Sequence, residues 1–218
     1  DLRLAEEWLH IIKRLWTEEK EFDHEGKYFN IKGGWCRPLP VTRPYPVLMN
    51  AGGSETGRHF AARYCDVAFV TFATRDKDQM AKQVAQYRDL ARKEYGRDIK
   101  VWANAYCVQG ETEKEAWDFY NFYVKENGDW AAATNLLDTL GLNAQTLPLE
   151  AIEPLKEHFI AGWGGVPLIG TKEQIVDGLK MMSDIGLDGT LLSWARYIDG
   201  MDEFRRTTYP LVVQAGLR

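Results

Sequence analysis

Leu4, Trp8, Ile11, Ile12, Leu15 and Trp16 recur at helical spacing and predict an amphipathic helix near 4–18. The segment Glu21–Ile31 reads as a hairpin turning near Glu25-Gly26. Pro38, Pro40, Pro44 and Pro46 then predict an extended connection that excludes helix. Four apolar runs follow, Val47–Ala51, Val67–Phe72, Val101–Val108 and Gly189–Ser193, and each reads as a buried strand. A helical stripe comes after each: near 55–65, near 76–95 with Met80, Val84, Tyr87 and Ala91 on one face, from Thr112 with Ala116 and Phe119 inward, and near 201–215. Strands alternating with helices predict parallel β/α units. The stretch 129–166 breaks that rhythm. It holds Trp130, Leu136, Leu137, Leu140, Thr146-Leu-Pro148-Leu and Ile160-Ala-Gly-Trp-Gly-Gly165, and it predicts an irregular, mobile, lid-like insert within one domain, 1–218. Thr171 with Gln174 forms a capping box that opens a further helix.

Composition narrows this picture. A chain of 218 residues is long enough to bury one sizeable core. A formal charge of −5 gives no reason to expect nucleic acid or an anionic membrane as partner. With no secretory signal and no apolar run long enough to span a bilayer, a cytoplasmic protein is expected. Cys36, Cys65 and Cys107 are odd in number and widely spaced, as buried free thiols are. His10, His24, His59 and His158 show no metal-ligand spacing, so no metal is expected. Eight tryptophans point to a large aromatic-lined core or pocket. Asp1 stands directly before a well-formed helix, which reads as a cut edge rather than a natural beginning.

One stretch carries candidate chemistry. From Pro46 to Asp66 an apolar run breaks at Gly52 and Gly53, Ser54 stands at an N-cap position, and Phe60, Ala61 and Tyr64 continue as a helix. Strand, glycines, serine and helix aim free backbone N–H groups at an anion, usually a phosphate. An ordinary β-to-α turn with a good cap explains the same residues. Glu55 opposes an anion and Arg58, one turn on, offsets it. Cys107 has no base beside it in sequence and reads as a core thiol rather than a nucleophile. No acid or base is assigned.

In order along the chain, four groups of residues, this stretch among them, resemble the luciferase-like flavin-dependent monooxygenases. They are Ala5-Glu-Glu-Trp-Leu9 through Phe22-Asp-x-Glu-Gly26-Lys-Tyr-Phe29, Met49-Asn-Ala-Gly-Gly-Ser54-x-x-Gly57 with Cys65-Asp66, Glu111-Thr-Glu-x-Glu-Ala116, and Pro167-Leu-Ile-Gly170-Thr with Gly186-x-Asp-Gly189 and Tyr209-Pro-Leu211. The resemblance is nearest the dimethylsulfone, alkanesulfonate and pyrimidine monooxygenase group. It implies an α/β fold, the C-terminal part (about strands five to eight) of a TIM-like (β/α)8 barrel, with a β-hairpin and the lid-like insertion. It places the phosphate contact of flavin mononucleotide (FMN) at Ser54, with Gly53. It implies a two-component monooxygenase that takes reduced FMN from a separate NAD(P)H:flavin reductase and uses O2 to oxygenate a small organic substrate. A deazaflavin (F420)-dependent reductase of the same superfamily is the alternative, and an inactive ligand-binding fragment is another.

Departures from that pattern bear on the substrate. Where alkanesulfonate monooxygenases carry an Arg and a His, this chain has Asn104 and Tyr106. Their lid arginine falls near Ala161, and a tyrosine after the last strand falls near Ala195, with Tyr197 two residues on. A sulfonate wants cationic donors, so an aromatic or neutral substrate fits better, Arg196 being the one nearby cation to the contrary. Asn104 and Tyr106 read equally as packed barrel interior, and Trp163 as a lid aromatic or a loop anchor. Half a barrel leaves open edges and inward side chains only partly covered, here Met49, Phe69, Phe72, Tyr106 and Leu192, so a homo-oligomer is expected.

Overall fold

A computed structural model describes residues 2–141 and 149–218. The first helix, α1 (Leu2–Thr17), turns Leu9 and Ile11 inward. It is followed by an antiparallel hairpin, β1 (Phe22–Glu25) and β2 (Asn30–Gly34). One carboxylate fastens the two together. Glu7 accepts backbone N–H groups from Lys27, Tyr28 and Phe29, the last at 2.8 Å, and lies 3.2 Å from His24 Nε2. Burial would raise the Glu7 pKa, but the donors from Phe29, His24 and Tyr28 outweigh it and hold the carboxyl below its ordinary value. Stability from a depressed carboxylate is present above its unfolded pKa and is lost as pH falls through the folded value. Glu7→Gln is therefore expected to lower the melting temperature at pH 7 and to change it much less at pH 3, as read by thermal unfolding at the two pH values.

The main sheet is built from β3 (Met49–Asn50), β4 (Val67–Val70), β5 (Lys100–Gln109), β6 (Val166–Gly170) and β7 (Gly189–Ser193). Every pairing in it is parallel. Ala103 pairs with both Val70 and Thr190, and Ala105 with both Val166 and Leu192. So β7 takes one edge of β5, while β4 and then β6 follow each other along the opposite edge. The four runs read as strands thus lie side by side and parallel. β6 is a fifth strand that the sequence reading left inside or beside the insert.

The helices after α1 are α2 (Glu55–Tyr64), α3 (Lys77–Tyr95), α4 (Glu113–Tyr120), α5 (Trp130–Thr139), α6 (Leu149–Gly162), α7 (Lys172–Asp184), α8 (Tyr197–Glu203) and α9 (Tyr209–Gln214). π-helical turns at 121–126 and 204–208 interrupt the helices after β5 and β7. The larger core lies between the sheet and α2, α3 and α7. It includes Ala68, Val70, Val101, Ala103, Met80, Val84 and Ile175, all at most 2% exposed. A second cluster, Tyr106, Val108, Ala116, Tyr120, Val124 and Ala161, lies on the other side of β5.

Two expectations are corrected. The insert is not irregular where it is described, since it forms α5 and α6. Asp129 caps α5 by accepting the Ala132 N–H at 2.8 Å. Pro154 sits inside α6, where Ile152, Leu155, Phe159 and Ile160 keep a helical stripe that proline and glycine obscured. Thr146-Leu-Pro148, in the middle of the insert, lies outside the described residues. The inward set also shifts by one on β7. Register puts Leu192 on the helix-packed side with Ala105 and turns Leu191 to the other side with Asn104. Phe72, beyond the end of β4, is buried in the larger core. Among the described residues no helix is long and apolar enough to cross a membrane.

Candidate functional site

The Gly-Gly-Ser turn forms as its sequence suggests. Asn50 Oδ1 accepts the Gly52 N–H at 2.8 Å and tightens the exit from β3. Ser54 is extended (φ −65°, ψ 161°), and its Oγ accepts the Gly57 N–H at 3.1 Å. The first helical bond of α2 runs from the Arg58 N–H to the Ser54 carbonyl. The amides of Glu55 and Thr56 therefore stay free at the positive end of the helix dipole. Gly53 is exposed, and a side chain there would meet nothing within 4 Å. Beside the turn lies a cleft of about 460 Å³ at the C-terminal ends of β3 and β4, lined by Ala51, Gly53, Arg58, Thr71, Gln79, Lys82 and Gln83 among others. Two cations line it and no carboxylate does. Ser54, Glu55 and Thr56 are exposed beside the cleft and do not line it. Free amides, open space at Gly53 and two cations fit a phosphate group.

Asn104, Tyr106 and Trp163 are brought together by the end of α6. Asn104 Nδ2 donates to the Trp163 carbonyl at 3.1 Å and the Gly162 carbonyl at 3.4 Å. Tyr106 is 1% exposed, its hydroxyl 2.9 Å from His158 Nδ1 and its ring stacked on Tyr120. Trp163 ends the helix in the left-handed region (φ 55°), a conformation that costs a non-glycine residue about 1–3 kcal/mol. The residue is 66% exposed, its ring meets Phe159 edge-on, and it lines a 300 Å³ cleft with Tyr123 and Leu136. The hydrogen bonds of this group do not reach Gly53 or Ser54.

Two members of the group were not singled out from sequence. Arg75, in the loop between β4 and α3, donates to the carbonyls of Phe72, Thr74, Gly164 and Gly165. It crosses 90 residues to cap the end of α6. In sequence it reads only as the residue before the Asp76 N-cap, so nothing marked it. His158 showed no signal beyond being a histidine. Burial, and then the Arg75 charge, push its pKa down to about 4. A histidine so depressed is neutral when folded, so stability is fully present above about pH 6.5 and is lost as pH falls from there toward 4. That loss is at most about 3 kcal/mol. His158→Gln is expected to flatten the denaturation midpoint between pH 7 and 4.5. An unchanged slope would show that His158 is not the titrating group.

The thiol reading holds for Cys107, which is buried and pushed up to about 12 by desolvation. Arg196 lies over the Phe119 ring at 5.1 Å. Among the described residues no group of three or more His, Cys, Asp or Glu is placed to hold a metal ion.

Residues 1–189 match the sequence model of a family described as luciferase-like monooxygenase. A pristinamycin IIA synthase subunit from Streptomyces pristinaespiralis is 26% identical over 249 residues, covering 98% of this chain and 57% of that protein. FMNH(2)-dependent dimethylsulfone monooxygenase of Pseudomonas putida is 24% identical, covering 96% and 58%. The crystal structure of DmoA from Hyphomicrobium sulfonivorans superposes with a TM-score of 0.80 at 20% identity, over 99% of this chain and 56% of that one. The chain thus spans a little over half the length of the relatives it matches.

Proposed function

The chain belongs to the luciferase-like monooxygenase family, and we propose that it works as part of a flavin-dependent monooxygenase that uses reduced FMN and O2 on a small organic substrate. The carrying observation is the cation-lined, acid-free cleft beside Gly53, next to the Ser54 cap, in a chain with this family match. In this reading the amides of Glu55 and Thr56, the open backbone at Gly53 and the Ser54 hydroxyl hold the FMN phosphate. Arg58 and Lys82 neutralise its charge. Reduced FMN, when bound, supplies the electrons for oxygen activation. This chain's own residues bind, orient and exclude water. The name of the Pseudomonas putida relative supports reduced FMN as the form used.

The strand order supports the C-terminal β/α units of a barrel, with α5 and α6 as its lid-like excursion. A separate NAD(P)H:flavin reductase and self-association belong to the same proposal. Oxygen consumption decides it. Reduced FMN regenerated by an added flavin reductase should support substrate-dependent uptake, and reduced F420 should support none. Hydride transfer from F420 without oxygen uptake would replace this reading with the deazaflavin one. Binding of neither flavin would leave a ligand-binding fragment.

A further inference from the structure

Between the Ser54 turn and the end of α6 lies a bare side of the sheet. By register Met49, Phe69, Trp102, Asn104, Leu191 and Ser193 share it. Met49 and Leu191 are 40% and 49% exposed, and the other four are partly buried. Phe69 is the last residue of β4 on this side, level with Trp102, so this layer lies just beneath the strand ends where ligands sit in such barrels.

Trp102 dominates it. A side chain at Gly189 would stand 2.5, 2.7 and 2.8 Å from Trp102 Cε2, Nε1 and Cδ2. Three ring atoms at nearly equal distance mean that the indole lies flat over Gly189, and only glycine leaves room for it. Trp102 Nε1 is buried with no partner among the described residues, so the indole presents its face to a ligand.

Charge is missing from this layer. None of the six residues carries one. Lys100 shares the phase but is exposed, two residues toward the N-terminal end of β5. Arg75 stands at the rim, where Nη1 and Nη2 donate to four backbone carbonyls and Nε is buried with no partner among the described residues. Arg196 is stacked on Phe119, in a cleft shared with Cys107 and Trp194. Two of the six are polar: Ser193 Oγ donates to the Ala105 carbonyl at 3.4 Å, and Asn104 meets the end of α6. Its Nδ2 is spent on the α6 carbonyls, and its Oδ1 accepts no hydrogen bond from the described residues.

We propose that this layer is the floor of the substrate site and selects a neutral, flat aromatic molecule, stacked on Trp102, whose O–H or N–H donates to Asn104 Oδ1. An anion such as a sulfonate finds no cation among these six side chains. The substrate role rests on the monooxygenase reading, whereas the binding selectivity does not.

The test is calorimetric titration of the full chain with three probes on one ring system: 1-naphthol, 1-methoxynaphthalene and naphthalene-1-sulfonate. 1-Naphthol is expected to bind at least tenfold more tightly than either of the others. Trp102→Leu should weaken 1-naphthol at least tenfold, and Trp102→Phe, which keeps a ring, no more than about threefold. FMN affinity, measured in parallel, should stay within twofold in both variants. Sulfonate binding as tight as naphthol, no naphthol binding, or indifference to Trp102→Leu would overturn the proposal. If Trp102→Leu does not fold, the probe comparison on the unaltered chain decides. Naphthol selectivity without FMN binding would sink the flavin reading and leave this one standing. FMN binding without selectivity would do the reverse.

Discussion

Ser54→Asp is expected to lower FMN affinity by about a hundredfold or more while leaving riboflavin affinity and thermal stability unchanged. Aspartate caps a helix as well as serine does, and its charge suits the dipole of α2. The Gly57 N–H therefore keeps an acceptor, and the fold does not suffer. The phosphate does. Two like charges 4 Å apart repel by about 4 kcal/mol at a surface-like dielectric. Arg58 and Lys82 line the same cleft and screen part of this. A remainder of about 2.7 kcal/mol is a hundredfold. Riboflavin has no phosphate and should not notice. Ser54→Ala is a weaker probe, because it also removes the cap, worth about 1 kcal/mol. Fluorescence titration of both flavins reads the result. Equal loss for both, or none for FMN, would remove Ser54 from the phosphate site.

Gly162→Ala should be the most damaging small substitution at the end of α6. The added methyl would stand 2.4 Å from Tyr106 Cβ and 2.8 Å from its Cγ and Cδ1. Tyr106 cannot retreat, because its ring is stacked on Tyr120 and its hydroxyl is tied to His158. Alanine gains about 1 kcal/mol of helix propensity. Overpacking against a fixed neighbour costs about 1–3 kcal/mol, and more at so short a distance. A net loss of roughly 2 kcal/mol corresponds to a fall of about 4–8 °C in Tm for a chain of this size. Gly53→Ala is the control, since nothing lies within 4 Å there and Tm should hold. Calorimetric melting of both variants compares them. A Gly162→Ala chain as stable as the parent would mean that α6 is free to slide on β5.

Strand and helix positions were legible in sequence because short apolar runs and helical stripes alternate cleanly from Val47 to Tyr95. The Ser54 cap was legible for a local reason, since a cap is decided within four residues. What stayed hidden is non-local. β6 is recognised only by its pairing with the second half of β5. Arg75 and His158 acquire meaning only when α6 is laid across β5, and no spacing within the chain encodes that. Leu191 and Leu192 show the limit of a buried run, in which either neighbour fits the inward phase until register is known.

The doubled edge of β5 also bears on how such a chain changes over generations. Where β4 stops, β6 takes over, and the Gly110 N–H closes on the Gly170 carbonyl at 3.1 Å. The described residues between those two glycines, β6 apart, form an excursion that leaves and rejoins the same strand. Its outer part can be exchanged as a cassette, while Ala116, Tyr120, Val124 and Ala161 must still pack on Tyr106 and Val108 of β5. Asn104 reads that cassette through two carbonyls and nothing else. A graft that keeps that packing and ends in the same Gly-Trp-Gly-Gly turn would be accepted by the sheet as its own, so new specificities are most easily acquired in the outer part of the excursion.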